Sequence, residues 1–375
     1  MTNGALKELS GRGVSLYLDD ISRSRLDSGD LRRLIEDRHV VGVTTNPSIF
    51  KKALDDGDGY DSTVGMLARS DFSTADALRV LTCMDVRDAA DLLAPIHRAT
   101  NGYDGWVSLE VNPFYADDTD ATVAEASLLH WMVGRQNVMM KVPATDAGLL
   151  AVTELVSRGI PVNITVIFSL DRYRQAAEAY MAGLEQAREQ GRDLTAIRSV
   201  ASFYLARLDD AVDHELDSVD TPVAAALRGR IALSHAHLAQ DAHTELHTGG
   251  RWETIARDHP GVGAQRLLWA STSTKDDQYS DTRYVTNLAL PGSINTMPEE
   301  TLLAVDDHGA VPGEPLGADV SDARAALQDL DALGISFEET TSRLEREAVT
   351  GFKSAWREIQ EVLGSRMKSA RERND

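Results

Sequence analysis

The feature that most constrains this chain is a repeat of form. Short apolar or alternating runs recur, each followed by a longer stretch with helical spacing. The runs are VSLYLD (14–19), VVGVTT (40–45), WVSLEV (106–111), NVMMKV (137–142), IPVNITVIF (160–168), IRSVASF (197–203), QRLLWAS (265–271) and SINTM (293–297). Between them lie LRRLIEDR, DATVAEASLLHWMVG, SLDRYRQAAEAYMAGLEQAREQG and RGRIALSHAHLAQDAHTELHTGG, the last two ending in glycine, a usual helix stop. Crossovers longer than a dozen residues require parallel strands. Eight such units predict a (β/α)8 TIM barrel within a single domain over 1–375, with extra helices and a core at about 14–304. A doubly wound open sheet is the second reading. RYVTNLAL (283–290) competes with SINTM for the eighth strand.

Past the core, AVDDHGAVPGEPLGADV (304–320) is rich in Gly and Pro and reads as a loop. Two helices should follow as a C-terminal extension over about 320–370. Ser336 and Glu339 have capping-box spacing. Leu344, Ala348, Phe352, Ala355, Ile359 and Leu363 then repeat at helical intervals, a stripe expected to pack on the barrel rather than on a coiled-coil partner. The charged tail KSARERND is expected to fray.

Bulk properties narrow the function. A net charge of −21 argues against nucleic acid as a partner and gives no help toward anionic membranes. Any site for a phosphorylated substrate must therefore supply its cations locally. The one cysteine, Cys83, excludes an intrachain disulfide and fits a reducing compartment. No apolar run approaches the ~20 residues that span a bilayer. MTNGALKELSGRGVSL lacks the apolar core of a signal peptide, so a cytoplasmic location is expected, as a monomer or homodimer.

Strand parity locates the chemistry, because side chains alternate between faces. Val14, Leu16 and Leu18 oppose Ser15, Tyr17 and Asp19. Val107, Leu109 and Val111 oppose Ser108 and Glu110. Val138, Met140 and Val142 oppose Met139 and Lys141, and Val162, Ile164 and Val166 oppose Asn163 and Thr165. In 198–203, Val200 and Ser202 oppose Ser199, Ala201 and Phe203. In a parallel barrel helices cover the outside, so the polar set should converge inside, at the C-terminal mouth. A lysine buried there has its charged form penalised, which lowers its pKa and leaves an amine able to form a Schiff base. Breaking a carbon–carbon bond beside the imine also needs a carboxylate to move a hydroxyl proton. Asp19 and Glu110 are the candidates. Parity alone leaves a second reading open, a Lys141–Glu110 ion pair in a packed barrel.

The motifs YLDDIS, GVTTNPSIF, VSLEVNP, VMMKVPAT, GIPVNITVIFSLDRY, VASFYLARLD, RLLWASTSTKD and INTMPEETL, in this order from about residue 14 to 304, together resemble the transaldolase family, in its longer form. The resemblance implies a Schiff-base enzyme of the non-oxidative pentose phosphate pathway. It would move a dihydroxyacetone unit from sedoheptulose 7-phosphate to glyceraldehyde 3-phosphate, giving erythrose 4-phosphate and fructose 6-phosphate, with no cofactor or metal. Residue by residue, it implies Lys141 as the Schiff-base lysine and Asp19 as the acid/base on the donor's C4 hydroxyl. Glu110 and Thr165 match the pair that holds the catalytic water. Asn46, Asn163 and Ser202 match donor-sugar contacts, and Arg207 the phosphate-binding arginine. Asp20 stands where many relatives have threonine; parity selects Asp19, since Asp20 falls with Leu16 and Leu18. Where other branches carry a second phosphate arginine, this chain offers Lys275 with Ser271 and Ser273; a solvated loop lysine is the alternative. Two rival functions are a fructose 6-phosphate aldolase that releases free dihydroxyacetone and a non-catalytic sugar-phosphate-binding barrel.

Other features read plainly. His235, His237, His243 and His247 are expected as surface histidines on a polar helix rather than metal ligands, since no H-E-x-x-H occurs. Cys83 is expected in the core. DDGDGYD (55–61) resembles a calcium loop, but Met66 stands where the twelfth-position glutamate belongs, so a polar turn before a helix is expected. No nucleotide-binding glycine motif occurs.

Overall fold

The computed structural model describes residues 4–55, 58–313, 315 and 317–372. Eight parallel strands close into a barrel in sequence order: β1 (Ser15–Leu18), β2 (Val40–Val43), β3 (Trp106–Glu110), β4 (Val138–Pro143), β5 (Val162–Ile167), β6 (Ser199–Tyr204), β7 (Arg266–Ala270) and β8 (Ile294–Met297). Closure is made by β1 against β8, with Tyr17 opposite Thr296 and Leu18 opposite Met297. All eight expected runs are strands, and the open sheet is excluded. SINTM supplies β8, whereas Arg283–Thr286 forms a short helix.

The aliphatic parity set, including Leu16, Val107, Val138, Met140, Val162 and Ile164, is wholly buried. The opposite set fills the barrel. Tyr17 illustrates the fit: a Cβ on Gly42 would lie 2.3 Å from its ring, so only glycine at that position of β2 leaves room. In β5 the pairing with β6 is irregular between Ile164 and Ile167, and Val166 has φ 64°. This bulge breaks the expected alternation. Val166 borders a groove with Ala144, Arg172 and Val349 instead of continuing the outer face.

Downstream of the barrel the helix Glu299–His308 runs into the segment read as loop, because Leu302 and Val305 give it a buried face. That helix ends at His308 and the next begins at Val320, with Glu314 and Leu316 between them outside the described residues. Helices Val320–Ala332 and Phe337–Glu372 form the extension. The Glu339 amide donates to Ser336 Oγ at 3.2 Å, the cap that the spacing predicts. The whole expected stripe from Leu344 to Leu363 is buried. The final helix packs on the helices Pro47–Asp55, Asp61–Arg69 and Thr74–Ala99 and on β5. Its end does not fray before Glu372: Met367 and Ala370 are buried, and Arg371 Nε donates to the Ala68 carbonyl at 2.8 Å. The last three residues of KSARERND lie outside the described residues. So do Asp56 and Gly57 of DDGDGYD; the rest of that motif makes a 3-10 turn and starts the helix at Asp61. Among the described residues no helix is long and apolar enough to cross a membrane.

Candidate active site

At the C-terminal mouth the barrel opens into a cavity of about 180 Å3. Asp19, Asn46, Lys141, Thr165, Ser202, Arg207 and Lys275 all line it. Glu110 and Asn163 stand immediately behind the wall. Adjacent-strand register brings the central residues together: Glu110 pairs with Lys141, Lys141 with Asn163, and Pro143 with Thr165.

Lys141 is only 4% exposed. Its Nζ donates to the Thr45 carbonyl at 2.8 Å and lies 3.2 Å from Glu110 Oε2. Burial alone would lower its pKa, but the neighbouring carboxylates, Glu110 first and then Asp19, outweigh burial and hold it above lysine's ordinary value. The expected depression is therefore corrected. Strand parity places Asp19 and Glu110 in the same space; with Glu110 at 3.2 Å the carboxylates reverse the sign that burial alone gives. The resting lysine is an ammonium. Burial pushes the Glu110 carboxyl up, opposed by Lys141, so the two groups can exchange a proton. Neither Glu110 oxygen accepts a hydrogen bond within the described residues beyond this ion-pair contact, which leaves both for a water.

Asp19, at the end of β1, is also raised by burial, opposed by Lys141 and by the Thr44 hydroxyl. Thr44 Oγ1 donates to Asp19 Oδ1 at 2.6 Å and shares a 2.6 Å contact with Thr296 Oγ1. Asp20 points elsewhere, into an ion pair with Arg25 at 2.8 Å. Parity thus separates the two aspartates correctly. Thr165 Oγ1 lies 3.3 Å from the Tyr204 hydroxyl. Asn163 donates to Ser108 Oγ at 2.9 Å and accepts from Ser202 Oγ at 2.6 Å, so it reaches the cavity through Ser202. Asn46 Oδ1 accepts from the Ile49 amide at 3.1 Å, capping the helix Pro47–Asp55 and leaving its NH2 for the cavity.

At the outer end, exposed Arg207 and Lys275 have no acidic partner among the described residues, although the chain is strongly acidic. Ser271 (φ 55°), Thr272 and Ser273 lie beside them. Thr44, Thr296, Tyr204 and Phe352 also line the cavity, and sequence reasoning did not assign them to it. Tyr204 was within reach, being two residues beyond Ser202 on the same face. Phe352, in the stripe expected to pack on the barrel, reaches the cavity as well.

The four histidines are not on a polar surface. The helix Ile231–His247 packs against the helices Val320–Ala332, Leu170–Glu189 and Ala206–Leu216, which bury His235 and His237 and leave His243 and His247 half-buried. His235 packs between Phe203 and Phe337, and burial pushes its pKa down to about 3. His243 Nδ1 meets the Tyr173 hydroxyl at 2.9 Å. No cluster of three or more His, Cys, Asp or Glu residues suited to a metal occurs among the described residues. Cys83 is buried, with its thiol pushed up to about 12 by burial.

Comparison with known proteins agrees with this geometry. The family described as Transaldolase/Fructose-6-phosphate aldolase matches residues 16–363. The chain is 49% identical to "Transaldolase 2" of Streptomyces coelicolor over 355 residues, 95% of either chain. It is 49% identical to "Transaldolase" of Thermobifida fusca over 354 residues, 94% of this chain and 96% of that one. With "Transaldolase" of Arthrobacter sp. the identity is 47% over 365 residues, 97% and 98% of the two chains. With a matched barrel of this length and relatives this similar over nearly their whole length, the chain belongs to the transaldolase/fructose-6-phosphate aldolase family.

Proposed function

We propose that this protein is a transaldolase, a single barrel domain with a helical extension, acting on sugar phosphates in the cytoplasm within the non-oxidative pentose phosphate pathway. The observation that carries the reading is the position of Lys141, 3.2 Å from Glu110 and on a cavity shared with Asp19 and Thr165. Lys141 gives its proton to Glu110, and the freed amine attacks the donor's ketone carbon. Glu110 and Thr165 hold the water that carries protons while the carbinolamine loses water to become an iminium ion. Asp19 takes the C4 hydroxyl proton, the C3–C4 bond breaks, and its electrons move to the iminium nitrogen. The aldose leaves and a dihydroxyacetone enamine stays on Lys141. The acceptor aldehyde then reacts by the reverse sequence. Asn46 and Ser202, with Asn163 behind Ser202, hold the donor hydroxyls. Arg207 and Lys275 hold the phosphate, their free cations offsetting the chain's overall negative field.

Borohydride reduction in the presence of fructose 6-phosphate, followed by peptide mass mapping, tests the mechanism. The expected result is a dihydroxyacetone adduct on Lys141; no adduct, or one on another lysine, overturns it. Assay of free dihydroxyacetone without an acceptor separates transfer from the aldolase reading.

A further inference from the structure

Nearly every cavity wall near Lys141 is polar: Asp19, Thr44, Asn46, Thr165, Ser202 and Tyr204. Besides the small apolar side chains of Ala270 and Pro298, one large apolar side chain enters, from outside the barrel. Phe352, on the helix Phe337–Glu372, is 5% exposed, and its ring centroid lies 5.8 Å from Lys141 Nζ. The helix is fixed on both sides of this residue. Glu345 pairs with Arg172 at 3.3 Å, Lys353 with Asp117 at 3.0 Å, and Ala348, Val349, Ala355 and Trp356 are buried around it. An aromatic face suits a cation on that nitrogen, whether ammonium or iminium. A large apolar side chain over a mostly polar cavity also excludes water.

We propose that Phe352 roofs the Lys141 adduct and sets its partition between transfer to an acceptor and hydrolytic release. The proposal rests on the Schiff-base transaldolase reading. The competing step is defined: the enamine carbon takes a proton to regenerate the iminium ion, water adds to the iminium carbon, and the C–N bond breaks. The net change is adduct plus water giving free Lys141 amine and dihydroxyacetone. In transfer, the same enamine carbon forms its new bond to the acceptor's aldehyde carbon. Transfer also ends in water addition, but only after the new carbon–carbon bond has formed; at the three-carbon adduct itself only the first route needs a proton and a water, so the roof acts on that branch.

The test uses the full chain and the graded series Phe352→Leu, Phe352→Val and Phe352→Ala. Dihydroxyacetone release from fructose 6-phosphate without acceptor is compared with transfer from the same donor to erythrose 4-phosphate, read as sedoheptulose 7-phosphate formed. The release-to-transfer ratio should climb with the volume removed, by about tenfold or more at Ala, with Leu close to wild type. If Ala does not fold, the step from Leu to Val decides. A ratio that stays flat while both rates fall together overturns the roof and leaves Phe352 a packing residue. The borohydride adduct is measured in the same samples. No adduct in the wild type defeats the underlying reading, whereas an adduct throughout with a flat ratio defeats only the roof.

Discussion

Lys141 and Glu110 are register partners on adjacent strands, and their charged ends meet at 3.2 Å with hardly any exposure to solvent. A pair so buried is held by mutual attraction against the cost of dehydrating both charges. The two partners differ when left alone. Glu110 already has a raised pKa and can neutralise itself by taking a proton, whereas Lys141 without Glu110 keeps only Asp19 as a neighbouring carboxylate to oppose its burial.

Lys141→Met should therefore fold, form no borohydride adduct and lack turnover. Substantial residual activity would remove Lys141 from the nucleophile's role. Glu110→Gln should keep donor binding but lower kcat by roughly 10²–10⁴-fold, since the ammonium loses its proton acceptor and the water its base. Single-turnover kinetics should place that loss in adduct formation; a loss confined to product release would count against it.

The second prediction concerns Thr44. Its hydroxyl favours the ionised form of Asp19, which burial otherwise opposes. Thr44→Val keeps the side-chain volume and removes the donor. The Asp19 pKa then rises further, so the acid limb of the kcat–pH profile should move to higher pH, with kcat falling about tenfold. Thr44→Ser should restore both. A limb that stays in place would show that Thr44 does not tune Asp19.

These two residues also mark the limit of what the sequence discloses. Alternation in 14–19 selects Asp19 over Asp20, and alternation in 137–142 turns Lys141 inward, because a two-residue period survives wherever a strand is regular. It fails at Val166, where a bulge with a left-handed residue resets the faces. Thr44 lies just past the end of β2, in a run whose strand stops at Val43, and its hydroxyl's partner, Asp19, comes from another strand's end. Properties set by elements distant in sequence were not legible either. The extension buries His235 and brings Phe352 over Lys141, and two carboxylates, Glu110 and Asp19, decide the lysine's protonation.

The third prediction concerns the phosphate end. Arg207 opens the helix Ala206–Leu216, and Lys275 lies on the loop after β7. The two are tied together: Asp213, on that helix, accepts from the Tyr279 hydroxyl at 2.7 Å, and Arg228 pairs with Asp276 at 3.1 Å. Arg207→Ala should raise KM at least tenfold for phosphorylated substrates, the loss of roughly 1.5–3 kcal/mol from a charge-assisted contact. Lys275→Ala should act in the same direction more weakly. Tyr279→Phe should raise KM modestly with kcat preserved. Equal losses with unphosphorylated ketoses would deny these cations a phosphate role.

The last prediction is a pH dependence of stability. Asp209, buried on the same helix, accepts from the Ala232 amide and the Tyr284 hydroxyl, both at 2.7 Å, near Asp213 and Arg283. Burial dominates over these donors and raises its pKa from 3.8 to about 6. The sign follows directly. Between these values the folded state holds a proton that the unfolded state has released, so this group's contribution falls as pH rises from about 4 to 6 and is constant beyond. Asp209→Asn removes the titration while keeping an oxygen for Ala232, and the Tyr284 hydroxyl can turn to accept from the new amide. Relative to the wild type, the variant should gain up to about 3 kcal/mol between pH 4 and pH 7. Urea unfolding of both proteins at the two pH values measures it. A difference that shrinks toward neutral pH would mean that the hydrogen bonds, not burial, govern Asp209.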